Sequence, residues 1–321
     1  MIKKIIIALQ SILICKMKRV INLFLERNYS KSLLGSVLMI IATLLFALHD
    51  TIVKYLSEDN IKFYHFVFYG SPVYFALPLY LWFVGRLKEN LVTSNYFIAI
   101  VRGVLFVPLP FIAFTALGNI SLPEFTTLVM CSPLFAVLFS LFIIKEKFNH
   151  FTVGALALGI IGVIFIFQPG FDNFSLYFPL VLVSACLVAT SNLIVSKFHG
   201  VVTSFGFFIY GGLFVHLFSL ILFSIEPKIL ELSTIGLILI ASLAANMAIF
   251  LFVVAFRIAQ KFYGIISCLH YLQILWAILI GIVFFDEYLN LLSGIGAILI
   301  FSSGIIALTA QYRGAKLQQP L

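Results

Sequence analysis

Ten times between residues 33 and 311 the chain runs apolar for about twenty residues, the length that crosses a hydrocarbon core of roughly 30 Å at about 1.5 Å per helical residue. The runs fall at 33–56, 63–84, 94–117, 123–143, 150–168, 176–196, 203–224, 233–256, 263–284 and 290–311, and none of the connections is long enough to hold a soluble domain. They do not alternate polar and apolar residues, which sets aside a transmembrane β-barrel. At 63% hydrophobic and 10% charged, with a mean hydropathy of +1.17, the sequence lacks the polar surface to coat a soluble globule. The expected fold class is an all-α membrane protein with ten transmembrane helices.

The runs follow one plan twice. In the first copy a loop at 117–124 leads into an apolar run, then Lys145-Glu146-Lys147-Phe148-Asn149, then a Gly-rich run at 152–167. In the second, a loop at 258–264 leads into a run ending at Phe285, then Asp286-Glu287-Tyr288-Leu289-Asn290, then a Gly-rich run at 294–308. Glu146 and Glu287 lie 141 positions apart, and the same offset aligns Asn149 with Asn290, Leu134 with Leu275 and Ala136 with Ala277. A one-residue slip pairs Gly154 with Gly296 and Gly162 with Gly304. The implied organisation is a basic N-terminal segment at 1–31, a five-helix repeat at 32–168, a second at 176–311 and a tail at 312–321. The Gly-rich runs suit close helix packing in lipid, and a homodimer face is their other use.

Positive charge orients the molecule. With the N-terminus inside, sixteen of the twenty Lys and Arg residues collect on the cytoplasmic side, Lys54, Lys62 and Lys228 lie outside, and Arg102 falls within a span. Both termini are therefore expected in the cytoplasm, in a bacterial inner membrane. Five spans per copy is an odd number, so the second repeat runs opposite to the first, the arrangement from which alternating access follows. The net charge of +8 is scattered singly over loops, so nucleic acid is not an expected partner. The stretch before residue 28 reads as a basic segment lying on the membrane surface, with Met17 as a rival start. Cys15, Cys131, Cys186 and Cys268 show no close spacing, so neither a metal site nor a disulfide framework is suggested, and no cofactor is expected.

A charge at the bilayer centre costs about 2.5 to 3.5 kcal/mol on insertion scales, so intramembrane polar residues are the candidate site. Asp50 and Lys54 share one face of the first span at i, i+4, which allows a local ion pair or an ion or substrate contact. Tyr69 in the second span lies at about the same depth as Asp50, roughly 9 Å inside the outer end. Arg102 lies about 14 Å deeper than Asp50 by the same rise, too far for a direct bond, and can snorkel toward the cytoplasmic surface. Pro108, Pro110 and Ser132-Pro133 are expected to bend or break the third and fourth spans. Asn246 in the eighth span and His270, Tyr271 and Gln273 in the ninth fall near mid-membrane, and Gln273 aligns with Ser132 by the 141 offset. Polar groups at equivalent depths of two inverted halves are what a central cavity requires; an interhelical hydrogen bond is the plainer role for Asn246.

With these residues in view, the chain resembles the drug/metabolite transporter superfamily and its EamA-type carriers of ten helices. The resemblance rests on Asp50-Thr-Ile-Val-Lys54, Val101-Arg102-Gly103, Ser132-Pro133-Leu134, Lys145-Glu146-Lys147 and Asp286-Glu287, in that order across two halves. It implies a secondary transporter moving a small organic metabolite through a cavity between the halves, with lipid as its surroundings and a coupling proton as a candidate partner. The segment from Leu269 to Gln273 is similar to one in bacterial S-adenosylmethionine carriers. There His270 and Gln273 replace two charged groups, and Tyr69 stands where such relatives often carry Arg. Their substrate is accordingly not carried over; amino acids, their derivatives and other small cations or zwitterions stay open. The rivals are a flippase for a phosphorylated headgroup and a nucleotide-sugar exchanger. Both would favour several cavity cations, whereas Arg102 alone is deep and basic. An intramembrane enzyme would show a His-Glu-x-x-His, paired-aspartate or Gly-x-Ser-x-Gly pattern, and the sequence has none.

Overall fold

In lipid every backbone N–H and C=O must find its partner inside the protein, which a helix achieves within its own segment. The computed structural model describes residues 28–58, 61–143, 150–168, 175–198, 201–258 and 269–317, and the elements among them are helices. These are α1 (Asn28–Glu58), α2 (Phe63–Phe83), α3 (Leu87–Leu91), α4 (Tyr96–Phe106), α5 (Pro108–Leu117), α6 (Leu122–Val129), α7 (Ser132–Ile143), α8 (His150–Phe167), α9 (Tyr177–Lys197), α10 (Ser204–Ile225), α11 (Leu232–Ile258), α12 (Leu272–Phe285) and α13 (Leu291–Leu317). Residues 1–27, 144–149 and 259–268, Glu146 among them, lie outside the described residues.

Six helices are long and apolar enough to cross a membrane: Leu33–Ser57, Phe63–Phe83, Tyr96–Leu117, Tyr177–Ile194, Phe205–Ile225 and Leu232–Ala255. Four shorter apolar helices, Leu122–Ala136, Val153–Phe167, Leu272–Phe285 and Leu291–Ile306, fall where the fourth, fifth, ninth and tenth spans are expected. Many large side chains face outward, Leu33, Phe97, Ile221 and Val283 among them, as a surface solvated by lipid requires.

The interruptions follow backbone chemistry. Pro108 has no N–H to donate, and the chain turns at Val107, whose N–H bonds back to the Val104 carbonyl at 3.1 Å. Ahead of Pro133 the fourth apolar run breaks at Met130 and Cys131, separating α6 from α7. The ninth breaks too, at Tyr271, 141 positions after Met130 and with no proline to cause it. Met130, Tyr271 and Ile274 pack in one buried cluster, so the two interruptions meet in the interior.

Helices pack mostly against the opposite half of the chain. The most extensive pairs are α8 with α13 and α1 with α11, followed by α10 with α4 and α2, and α9 with α7. Between α8 and α13 the backbones nearly touch: a Cβ added to Gly162 would lie 2.9 Å from the Gly296 carbonyl, and one added to Gly296 would lie 2.7 Å from that of Gly162. Small residues here serve contact within the chain, while Gly154 and Gly294 have open space around them.

Candidate functional site

The site is built at the seam where α1, α6 and α12 converge. Helix α12 ends with Asp286 in the left-handed conformation (φ 53°), and the Glu287 N–H returns to the Gly281 carbonyl at 3.0 Å. This closure, from residue 287 back to residue 281, swings Glu287 back over the end of its own helix. Its two carboxylate oxygens take different partners. One lies 2.8 Å from the Lys54 ammonium, and the other accepts the Leu122 N–H at 2.8 Å, at the positive end of α6.

Lys54 is buried. Besides Glu287 it donates to the carbonyls of Leu117 and Ile120, both at 3.0 Å. Its ammonium also lies 5.3 Å from the centre of the Phe285 ring. Next to this cluster Ser121 and Glu124 form a capping box at the start of α6, the Ser121 hydroxyl donating to Glu124 at 2.7 Å. Ser293 donates to the other Glu124 oxygen at 3.3 Å, and Gln168 donates to Asn290 at 2.9 Å and to Ser293 at 3.1 Å. One polar network thus ties the ends of α1, α6, α8, α12 and α13 together. Above it opens a cleft of about 520 Å³ lined by Lys54, Asn119, Ser121, Glu124, Tyr288 and Glu287, with Ser175 and Phe178 on its far wall.

One turn deeper on α1, the Asp50 carboxylate accepts a hydrogen bond from the Gln273 amide at 3.2 Å. Two turns deeper still, Trp276 donates to Thr43 at 3.2 Å. Asp50 and Lys54 thus each have a partner across the seam, on α12 or in the turn behind it. Beside them His49 packs edge-on to Phe66 at 5.8 Å, with Nδ1 3.1 Å from the Ala241 carbonyl, at the rim of an apolar cavity of about 240 Å³ walled by Val53, Val67 and Phe114.

The other expected residues lie apart from this seam or in its packing. Tyr69 donates to the Lys228 carbonyl at 2.9 Å and ties α2 to the connection after α10. Arg102 neither reaches Asp50 nor simply snorkels: it donates to the Phe207 carbonyl on α10 and sits between the rings of Phe106 and Phe207, at 4.8 and 5.3 Å. Asn246 returns its amide to the Ser242 carbonyl of its own helix at 2.7 Å. His270 lies edge-on to Phe252 at 4.9 Å. Tyr271 is buried against Phe301 and Gly304, and Ser132 is buried at the start of α7, two residues past Met130. Glu124, Gln168 and Ser293 were not singled out from the sequence, although Ser121-x-x-Glu124 is a legible capping box. Among the described residues no group of three or more His, Cys, Asp or Glu side chains could hold a metal ion.

Apolar helices long enough to cross a bilayer, with a buried ion pair and a buried carboxylate at the seam between halves, define a multi-pass integral membrane protein. Residues 33–168 match the model of the EamA-like transporter family. Two proteins of Helicobacter pylori carry the description uncharacterized transporter. The one from strain ATCC 700392 / 26695 is 26% identical over 302 residues, covering 88% of this chain and 98% of its own. The one from strain J99 / ATCC 700824 is 25% identical over 297 residues, with the same coverage. A solved crystal structure of a protein aligns with TM-score 0.58 at 15% identity, over 89% of this chain and 99% of its own, a likeness of fold alone.

Proposed function

We propose that this protein is a secondary active transporter of a small zwitterionic or cationic metabolite, an amino acid or amino-acid derivative, working by alternating access between two inverted five-helix repeats. The observation that carries this reading is Asp50, a carboxylate inside the seam whose described partner is the neutral amide of Gln273. A carboxyl so placed changes its charge with the water content around it, so its protonation is linked to which side is open. That link provides proton coupling; a cationic substrate competing for the same carboxylate provides exchange.

The helix contacts support two related halves. Counting α4 with α5 and α6 with α7 as single spans, the contact of α1 with α11 has its mate in that of α9 with α4 and α5. In the same way α12 with α1 is matched by α9 with α6 and α7, and α11 with α2 by α10 with α4, while α8 with α13, α2 with α10, and α6 with α12 map onto themselves. Paired interruptions at Met130 and Tyr271 suit the broken helices that form transporter sites at a repeat interface. With the charge bias, this reading puts the Lys54–Glu287 end outside and both termini in the cytoplasm of an inner membrane. A homodimer through the open sides of Gly154 and Gly294 belongs to the same proposal. A phosphorylated substrate is disfavoured because Arg102 is engaged with α10.

Counterflow in proteoliposomes against amino acids, nucleosides, sulfonium compounds and quaternary amines identifies the substrate class. Gln273→Leu is expected to abolish counterflow of the substrate so found while the folded protein remains in the membrane. Normal counterflow in that variant contradicts the assignment of the seam.

A further inference from the structure

We propose that α2 and α10 are the hinge of the transport cycle: fastened to each other at both membrane faces, they stay joined while the remaining helices turn about them to open one side or the other. The inference rests on the transporter reading and names the elements about which its motion turns.

Two latches, built on one plan, close the opposite ends of this pair. At one end Lys62, the N-cap of α2, brings its ammonium to the Glu226 carboxylate at 2.6 Å, and Tyr64 donates to the same carboxylate at 2.6 Å. His65, which is buried, has Nε2 3.0 Å from the Glu226 carbonyl, and Tyr69 donates to the Lys228 carbonyl at 2.9 Å. At the other end Thr203, the N-cap of α10, directs its hydroxyl at the Asn90 carbonyl 3.3 Å away, and Tyr210 donates to the Leu91 carbonyl at 2.9 Å. Thr93 adds a bond to the Val201 carbonyl at 2.8 Å. Thr203 lies 141 positions after Lys62 and Tyr210 lies 141 after Tyr69, the spacing of the duplication. In each latch the start of one copy's second helix thus grips the connection that follows the other copy's second helix. Between the latches the two helices are joined by rings: Phe68 stacks on Phe223 with centroids 3.8 Å apart, Tyr74 stacks on His216 at 4.1 Å, and the Tyr74 hydroxyl donates to the Ile209 carbonyl. A Cβ on Gly212 would run into the Tyr74 ring, so the backbone of α10 lies hard against α2. Parting either end therefore breaks hydrogen bonds and stacked rings together. Position points the same way. A contact that maps onto itself under a two-fold duplication lies on the two-fold axis, and a rocking motion that exchanges the two open states turns about that line, where displacement is least. The contact of α2 with α10 is of this kind. The short connection from α1 to α2 puts Lys54 and Lys62 at one face, so the cleft above Lys54 and Glu287 opens at the seam while the Lys62 latch on that face is closed.

Fastening the latches covalently tests this. In a background with Cys15, Cys131, Cys186 and Cys268 replaced by Ala, the pairs Lys62→Cys with Glu226→Cys and Asn90→Cys with Thr203→Cys are each joined by a reducible bifunctional thiol reagent. The reference is the same protein after reduction, so effects of the substitutions themselves cancel. A pair that fails to fold is replaced by Tyr64→Cys with Glu226→Cys or by Thr93→Cys with Val201→Cys. Two quantities are read. One is counterflow in proteoliposomes of whichever amino acid, nucleoside, sulfonium compound or quaternary amine the reduced protein carries. The other is deuterium exchange in nanodiscs at the amides of α1, α6 and α12 that meet at the seam, which needs no substrate. A link at either face is expected to leave both unchanged. A link at either face that stops counterflow, or that slows exchange at the seam, means that the pair has to part and overturns the proposal. Seam amides that do not exchange even after reduction also overturn it, because nothing then turns about the pair. The reduced protein tells the two readings apart: no counterflow there for any solute refutes the transporter, whereas counterflow there that is lost on linking refutes the hinge alone.

Discussion

Asp50 and Lys54 stand one helical turn apart on α1, yet each is satisfied by a group more than two hundred residues away. Backbone acceptors decide it for Lys54: the end of α5 and the following loop offer it two carbonyls beside Glu287, which a carboxylate at i−4 does not bring with it. Removing one partner of a fully buried pair costs about 3–5 kcal/mol. Here 18% of the Glu287 side chain is exposed and the cost is lower. Asp50→Asn keeps the bond to Gln273 but cannot ionise. We expect it to lose uptake driven by a pH gradient while substrate counterflow survives; full gradient-driven uptake in this variant rules out coupling through Asp50. Asp286 makes a different prediction. Its left-handed backbone costs an ordinary side chain about 1–2 kcal/mol, so Asp286→Val should lower the thermal midpoint and Asp286→Gly should not. Individual residues were only partly legible in the sequence. Depth along a helix could be counted, and it brought out Asp50, Lys54 and Gln273. Direction around the helix could not, and so Tyr69 and Arg102, at suitable depths, turn out to bond to α10 and the connection beyond it.

At the scale of elements, the sequence announces interruptions where proline removes a donor, and the breaks at Val107 and before Pro133 follow. The break at Tyr271 carries no such mark; only its alignment with Met130 under the 141 offset points to it. Helix ends from α2 to α11 lie within two residues of the expected runs, because polar turns bound those runs. Helix α1 begins five residues early and α13 ends six residues late, while the expected start of the ninth run lies outside the described residues. The short helix α3, in a connection expected to be a loop, is one turn of Leu-Lys-Glu-Asn-Leu with no apolar periodicity to reveal it. The Gly-rich runs were legible as packing surfaces, though not as partners of each other, since that pairing joins residues more than a hundred positions apart. It is testable at one position. Gly296→Val places methyl groups against the Gly162 carbonyl and Ile166, and overpacking of this kind costs about 1–3 kcal/mol. The expected result is a lower thermal midpoint with α8 and α13 displaced. An unchanged midpoint contradicts the close approach.

For the whole molecule, hydropathy and duplication sufficed for an all-helical membrane protein, while the interleaving of the halves is a property of the fold that no local pattern records. Interleaving bears on the proposed alternating access, in which a rocking motion of one half against the other would pass through the seam that holds Asp50, Gln273, Lys54 and Glu287. The orientation of that seam is open to cysteine labelling. A probe at Asp286 should react from outside and one at Lys88 should not, and the reverse pattern contradicts the charge-based topology. The account stands or falls on whether the Lys54–Glu287 end must open for transport. Asn119 and Tyr288 line the cleft from the loop before α6 and the turn after α12, and so take a cysteine each without disturbing the ion pair. In proteoliposomes, counterflow by the Asn119→Cys, Tyr288→Cys protein should stop when a reducible bifunctional thiol reagent joins the two positions, and return when the link is reduced. Undiminished counterflow through the cross-linked protein would contradict alternating access at this end.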